Sequence, residues 1–412
     1  MAASLRLRNY RLLFVSQGVS LTGTSLQDVA QAWLVLQLSN NYLSLGLVVA
    51  LQYLPVLIFG AAAGEVADRL NKRRILQVTD AAGGILALVL AVLVVTGTVR
   101  VWQVDVLAFL LGITNLLNQP AGQSITVEVV GEELLTNAVG LNMMEFNVSR
   151  TVGPLLAGVL LYTVGFSVCF FVNAASYGIS LVCLAAMRTA ELHPSKPTAR
   201  GPGHIRDGLR YVWATPKLRT TLILMGVVGV FTFNFPVTLA LLGKETFGNG
   251  PVGFTLLFSC LGIGGIIGSL LVASHRSVAM DGLERIGLAF GALVLLVAAL
   301  PWGWTITLAC VVMGVAAFGF STSGGAILQG ASRPDMRGRV MALWLVALIG
   351  SFPIGAPMAS WVAQTAGPRA PLVLGGVVCI AVCAAYLAFD KYRRVRSSGM
   401  AALASSSTPS IE

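Results

Sequence analysis

Charge is what this chain has least of. Asp, Glu, Lys and Arg make up 11% of its 412 residues, where a soluble domain carries about 25%. That scarcity excludes an ordinary water-soluble fold. Histidine is nearly absent. His193, His204 and His275 all lie between the apolar runs, and no enzyme constellation assembles around them. The six cysteines all fall inside apolar runs. Cys379 and Cys383 share a helix face but have no His or acidic partner, so disulfide and metal readings are both poor. No Gly-Lys-Ser/Thr phosphate loop is present, which removes ATP as a direct energy source. Ten-residue alternation is missing too, so a membrane β-barrel is excluded. The start, MAASLRLRNYRLLF, lacks a short apolar core followed by a cleavage site and reads as a retained N-terminus.

What remains is 56% hydrophobic residues in long runs, with mean hydropathy +0.81. Helices are the spanning element that such runs allow, because the bilayer leaves backbone groups no other partner. Twelve spans are expected, near 12–38, 43–63, 74–96, 102–122, 137–161, 166–187, 218–242, 251–274, 284–300, 303–325, 338–364 and 370–390. The fold class is therefore an all-α polytopic membrane protein with two pseudo-symmetric six-helix halves. The expected division is 1–187, a linker at 188–217, 218–390, and a disordered tail at 391–412.

Lys and Arg set the orientation. Arg100, Lys244 and Arg369 alone fall in odd-numbered loops, and Arg150 lies within a span. All the others sit at the start, in even-numbered loops and in the tail. The positive-inside rule places those segments, and both termini, in the cytoplasm. The net charge of +10 thus serves topology. It gathers on no single face, and a nucleic-acid partner is not expected. In the linker, Ile205, Leu209 and Trp213 align against Arg206, Asp207 and Arg210, which predicts a short helix lying on the inner membrane surface.

The stretch GEVADRLNKRR, Gly64 to Arg74, carries the strongest motif. Its glycine permits close helix approach, Asp68 can cap a helix or bind an arginine, and the cations hold the loop at the inner face. Gly64, Ala67, Asp68, Arg69, Lys72, Arg73 and Arg74 match the loop-2/3 gating signature of the major facilitator superfamily, which the chain resembles. Val66 and Asn71 depart from it. A degenerate repeat supports two halves. Gly64, Lys72 and Asp80 match Gly268, Arg276 and Glu284 at an offset of 204, and Gly153 and Gly165 match Gly355 and Gly367 at 202. Repeats of this kind place a substrate site between the halves near the midplane.

The first span holds the chemistry. Gln17, Ser20, Thr24, Gln27, Asp28 and Gln31 occupy one arc of about 100° on a helix, a stripe that must face protein or a watery cavity. Asp28 stands roughly 24 Å from the inner start at 1.5 Å per residue. An acid there costs several kcal/mol unless paired, hydrated or protonated. It reads either as a reversible proton carrier or as a structural carboxylate paired to Arg150 or to hydroxyls. In span five, Asn142, Glu145 and Ser149 share a face. Arg150 points elsewhere and needs a carboxylate from another helix, with Asp28 and Asp80 as candidates. Span four ends in Asn115, Asn118, Gln119 and Gly122. The second half offers Asn234 with its neighbours Thr232 and Thr238, a hydroxyl group at Ser321, Thr322 and Ser323, Gln329, and aromatics including Trp344. No acid lies deep in spans seven to eleven, so that wall reads as neutral and suits a bulky amphiphile.

Gly153, Pro154 and Gly158 resemble the superfamily's fifth-span antiporter motif, with Ser149 and Ala157 in place of glycines. Residues 137–165, Met336–Gly355 and the run Gly23 to Val35 look like the branch containing the enterobactin exporter and the macrolide efflux proteins. The resemblance implies proton-coupled (or sodium-coupled) export of a drug, macrolide or siderophore by alternating access, from a bacterial cytoplasmic membrane, without a cofactor and as a monomer. As the charges lying within spans, Asp28, Glu145 and Arg150 are the coupling candidates. A nutrient importer, or a receptor on the same fold, are the alternatives.

Overall fold

The computed structural model describes residues 3–39, 41–192, 204–248, 250–274, 280–333 and 336–406, with side chains omitted at 61–69, 204–206 and 390–406. The first half contains α1 (Arg8–Ser39), α2 (Tyr42–Arg69), α3 (Lys72–Val95), α4 (Val101–Thr163) and α5 (Phe166–Ala185). A separate helix, α6 (His204–Ala214), precedes the second half. That half contains α7 (Pro216–Phe231), α8 (Phe235–Phe247), α9 (Val252–Ala273), α10 (Met280–Ala299), α11 (Gly303–Ala331), α12 (Arg337–Leu348), α13 (Phe352–Ala366) and α14 (Ala370–Ser406).

Ten segments among the described residues are long and apolar enough to cross a membrane. One of them, α4, is two spans joined at Gly131, whose φ of 70° turns the chain. Helix α1 is long enough but too polar to be among the ten. With both considered, the expected twelve spans are accounted for. The linking segment between spans four and five, expected as loop at 123–136, is instead helical except at Gly131, the residue best able to adopt a left-handed φ.

Spans seven and eleven are each broken in mid-membrane. Helix α7 stops at Phe231 and α8 restarts at Phe235; α12 stops at Leu348 and α13 restarts at Phe352. Pro236 and Pro353 sit in the first turn of the restarting helices, where a missing N–H costs nothing. The last helix continues to Ser406, past the point at which a disordered tail is expected. Adding turns to an existing helix needs no new nucleus, and the tail's Ala, Arg and Met are good helix formers.

The repeat is visible in packing. Gly153 abuts Thr22 and Leu26 of α1, while Gly355 abuts Val230 and Asn234 beside α7, the corresponding helix of the other half. Gly165 and Gly367 both end a span with positive φ, 93° and 99°.

Helix α6 lies where the sequence puts it, but with a different face inward. Val212 is fully buried with Leu218, Leu328 and Val340, Gly208 rests on Arg339, and Asp207 reaches the Arg339 guanidinium at 3.7 Å. Leu209 and Trp213 remain exposed. Docking on α12 is possible because Gly208 presents no side chain.

Candidate functional site

The polar stripe of α1 does not form one continuous lining. The Gln27 side-chain oxygen accepts from Asn173 at 2.7 Å, and Thr24 shares a hydrogen bond with the Tyr177 hydroxyl at 3.1 Å, both on α5. Gln31 takes a 3.5 Å contact from Gln27, and both are buried. Gln17 lies over Gly122 of α4, and Ser20 is partly buried. Asp28 turns the other way and accepts from Gln52 of α2 at 2.8 Å. An arc of 100° is wide enough to face two neighbouring helices, so the expected single cavity face is divided between them.

Arg150 lacks the carboxylate partner expected for it. Among the described residues it forms no ion pair. Instead its guanidinium sits 5.5 Å from the Phe146 ring and 5.2 Å from the Phe318 ring. Phe146 belongs to the first half and Phe318, on α11, to the second. Two cation–π contacts offset part of the desolvation of this partly buried cation. Asp28 and the Tyr53 hydroxyl lie within electrostatic reach of Arg150. Asp80 is engaged elsewhere. It accepts from Asn118 at 2.8 Å and from Ser180, and Ser180 in turn bonds Ser16 at 2.6 Å. That network ties α1, α3, α4 and α5 together.

Glu145 presses on the backbone of Gly18. A Cβ at Gly18 would stand 2.5 Å from its carboxylate oxygen, so a larger residue there would displace the Glu145 carboxylate. Glu145 is buried, and neither oxygen has a hydrogen-bond partner among the described residues. Burying an ionised carboxylate without a partner costs several kcal/mol.

Several other expected lining residues hydrogen-bond within the fold. Asn142 accepts from Tyr10 at 2.9 Å and donates to Thr126 at 3.2 Å. Asn118 serves Asp80. Asn234 is fully buried and donates to Val230 at 2.6 Å, bridging the break between α7 and α8. Asn115 is partly buried, Gln119 exposed, and Trp344 lies partly buried against Gly325.

Just past Asp28 the helix is sealed. Val29 to Leu36 is a run of consecutive buried residues, as is Val237 to Gly243 of α8. A helix buried all round is enclosed on every side. Contacts between the halves close this end. Trp33 stacks on Phe254 at 6.4 Å, Tyr53 on Phe352 at 4.7 Å, and Gly46 abuts Ser360. The Tyr42 amide donates to Gln364 at 3.1 Å, and Lys244 lies over the Tyr42 ring. Toward the start of α1, by contrast, Arg11, Leu12, Phe14, Val15 and Gln17 to Thr22 are exposed or partly buried.

The antiporter-like segment spans both halves. Gly153 packs on α1, whereas Gly158 faces Thr255 of α9. Two turns away the arrangement reverses, with Gly262 of α9 facing Thr151. Pro154 is buried between them.

At the basic end, the described part of the loop is fastened to its own half. Lys72 pairs with Glu128 at 3.0 Å, and Arg73 donates to Leu184 and Ala185 at 2.7 and 2.8 Å. Asn71 caps α3 by accepting from the Arg74 amide at 3.1 Å. The side chains of Gly64, Asp68 and Arg69 lie outside the described residues.

Sequence reasoning missed Gln52, Tyr53, Phe146, Phe318, Asn173 and Tyr177. Gln52 had a usable signal, as an amide inside an apolar span. The aromatic residues had none, because lipid-facing rings look the same.

A family profile described as transmembrane secretion effector matches residues 1–412. The chain is 27% identical over 382 residues to the multidrug efflux pump Tap of Mycolicibacterium fortuitum, covering 87% of this chain and 91% of that one. It is 24% identical to macrolide efflux protein A of Streptococcus pyogenes, covering 91% and 95%. A staphyloferrin A transporter of Staphylococcus aureus matches at 25% over 265 residues, covering 64% and 66%. Among solved structures, a mutant of the nucleoside transporter NupG superposes with TM-score 0.74 at 13% identity, covering 92% and 99%. A bacterial homologue of the lysosomal transporter Spinster, inward-facing and occupied, also gives 0.74 at 15%, covering 93% and 97%. These structures share the fold.

Proposed function

The chain belongs to the transmembrane secretion effectors, a family of major facilitator transporters rather than enzymes, and from that premise we propose that it exports an amphiphilic small molecule in exchange for protons. The observation that carries this reading is the position of Asp28. It stands beside Gln52 and within reach of Arg150, directly under the seal formed by Val29 to Leu36. A site closed on one side and approachable from the other is what alternating access requires. Rocking of the halves about the Gly158–Thr255 and Gly262–Thr151 contacts would exchange the open side.

The positive-inside distribution of Lys and Arg supports an open end in the cytoplasm, both termini there, and a bacterial cytoplasmic membrane as the location. The functions of the relatives, efflux of multiple drugs and of macrolides and transport of a siderophore, support an amphiphilic substrate. Asp28 is the exchangeable proton site and Arg150 sets its electrostatics. Glu145 is the second candidate. The unit is a monomer, since one chain encloses the site.

Efflux of a panel of dyes and drugs from cells tests this, comparing wild type with Asp28→Asn at equal expression, with and without a protonophore. Export that collapses with the protonophore and falls at least tenfold in the variant is expected. Export that survives the protonophore rules out proton drive.

A further inference from the structure

Two opposite charges in one low-dielectric site normally close on each other. Here each is held by neutral groups instead. Asp28 is held by the Gln52 amide at 2.8 Å. Arg150 is held by the faces of Phe146 and Phe318, one ring from each half. The five N–H donors of a guanidinium lie in its plane. Among the described residues nothing accepts from them. Arg150 is only partly buried, and its nitrogens are not among the sealed polar atoms lacking partners. The donors therefore keep accessible area that a ligand can meet. The planar fork of arginine matches an oxyanion with two parallel hydrogen bonds.

Resting on the export reading above, we propose that the substrate is a zwitterionic amphiphile. Its carboxylate, or a comparable oxyanion, docks on the free edge of Arg150. Its cationic group lies toward Asp28, and its apolar body lies along Phe146, Phe318 and Tyr53.

The test uses a matched pair of dyes, rhodamine B, which carries a free carboxylate beside its cation, and its ethyl ester, which keeps only the cation. Binding to the purified full-length protein is measured by fluorescence polarisation at pH 7.5, and export is followed in cells. Wild type should bind the acid about tenfold more tightly than the ester, the discrimination that a charge-assisted hydrogen bond provides. Arg150→Met should erase the difference while ester binding persists, which also shows that the variant is folded. Arg150→Lys should keep part of it. Equal binding of the two dyes by wild type, binding of neither, or a preference that survives Arg150→Met overturns the proposal. Export of the ester without preference for the acid would leave the efflux reading standing and remove this one. Preferential binding of the acid with export of neither dye would do the reverse.

Discussion

Trp33 of α1 and Phe254 of α9 stack across the two halves with ring centroids 6.4 Å apart and planes 22° from parallel. Both rings are buried completely or nearly so, 1% and 0% exposed. They plug the end of the molecule beyond Asp28. Trp33→Ala should remove roughly 3–5 kcal/mol from the closed arrangement, the usual cost of deleting a large buried ring. A cysteine placed at Gln31 should then be labelled by a membrane-impermeant maleimide from outside the cell, whereas with Trp33 intact it should stay unlabelled. Equal labelling in both would show that the stack does not close the path.

Gly158 and Thr255 make a similarly close contact. A Cβ at Gly158 would stand 2.5 Å from the Thr255 hydroxyl. Gly158→Val should force α4 and α9 apart at a cost of about 1–3 kcal/mol. Thr255→Gly should restore export in the double variant, because it removes the atom that clashes. A double variant no better than the single one would place the fault elsewhere.

Lys72 and Glu128 pair at 3.0 Å with side chains only 11% and 12% exposed. Removing one partner strands the other, at about 3–5 kcal/mol. Lys72→Met and Glu128→Gln should each lower the thermal midpoint in detergent, and the double variant should be less harmful than their sum. Additive losses would mean that the two do not act as a pair.

Asn71 occupies the position where the loop signature usually has glycine, and it caps α3 through the Arg74 amide. Asn71→Ala should cost about 1 kcal/mol, while Asn71→Asp should be neutral. Thermal unfolding of both variants checks this.

The number and length of the spans were legible because a bilayer imposes a simple requirement, some twenty apolar residues, on every crossing. The equivalence of Gly153 with Gly355 was legible too, since close helix approach demands a small residue at both. Partners were harder to read. Helical periodicity places Asp28, Gln27 and Thr24 on one face, but it does not say that α2 takes the first and α5 the other two. The environment of Arg150 was misjudged for a related reason. A buried cation suggested a carboxylate, whereas the faces of Phe146 and Phe318 serve, and phenylalanine in a membrane span carries no mark of such a role. The breaks at Phe231–Phe235 and Leu348–Phe352 were partly signalled by Pro236 and Pro353.

Asp28 and Arg150 share one region without touching. With both ionised, their charges sum to zero, and shifting that region through the electric field of the membrane does almost no work. A proton on Asp28 leaves Arg150 unbalanced. The same shift then moves one elementary charge, worth up to about 2.3 kcal/mol for each 100 mV crossed. In the proposed exchange, membrane voltage would thus act on the proton-loaded carrier and leave the zwitterion-loaded one almost unaffected, so that the cycle would take its direction from the electrical as well as the chemical gradient.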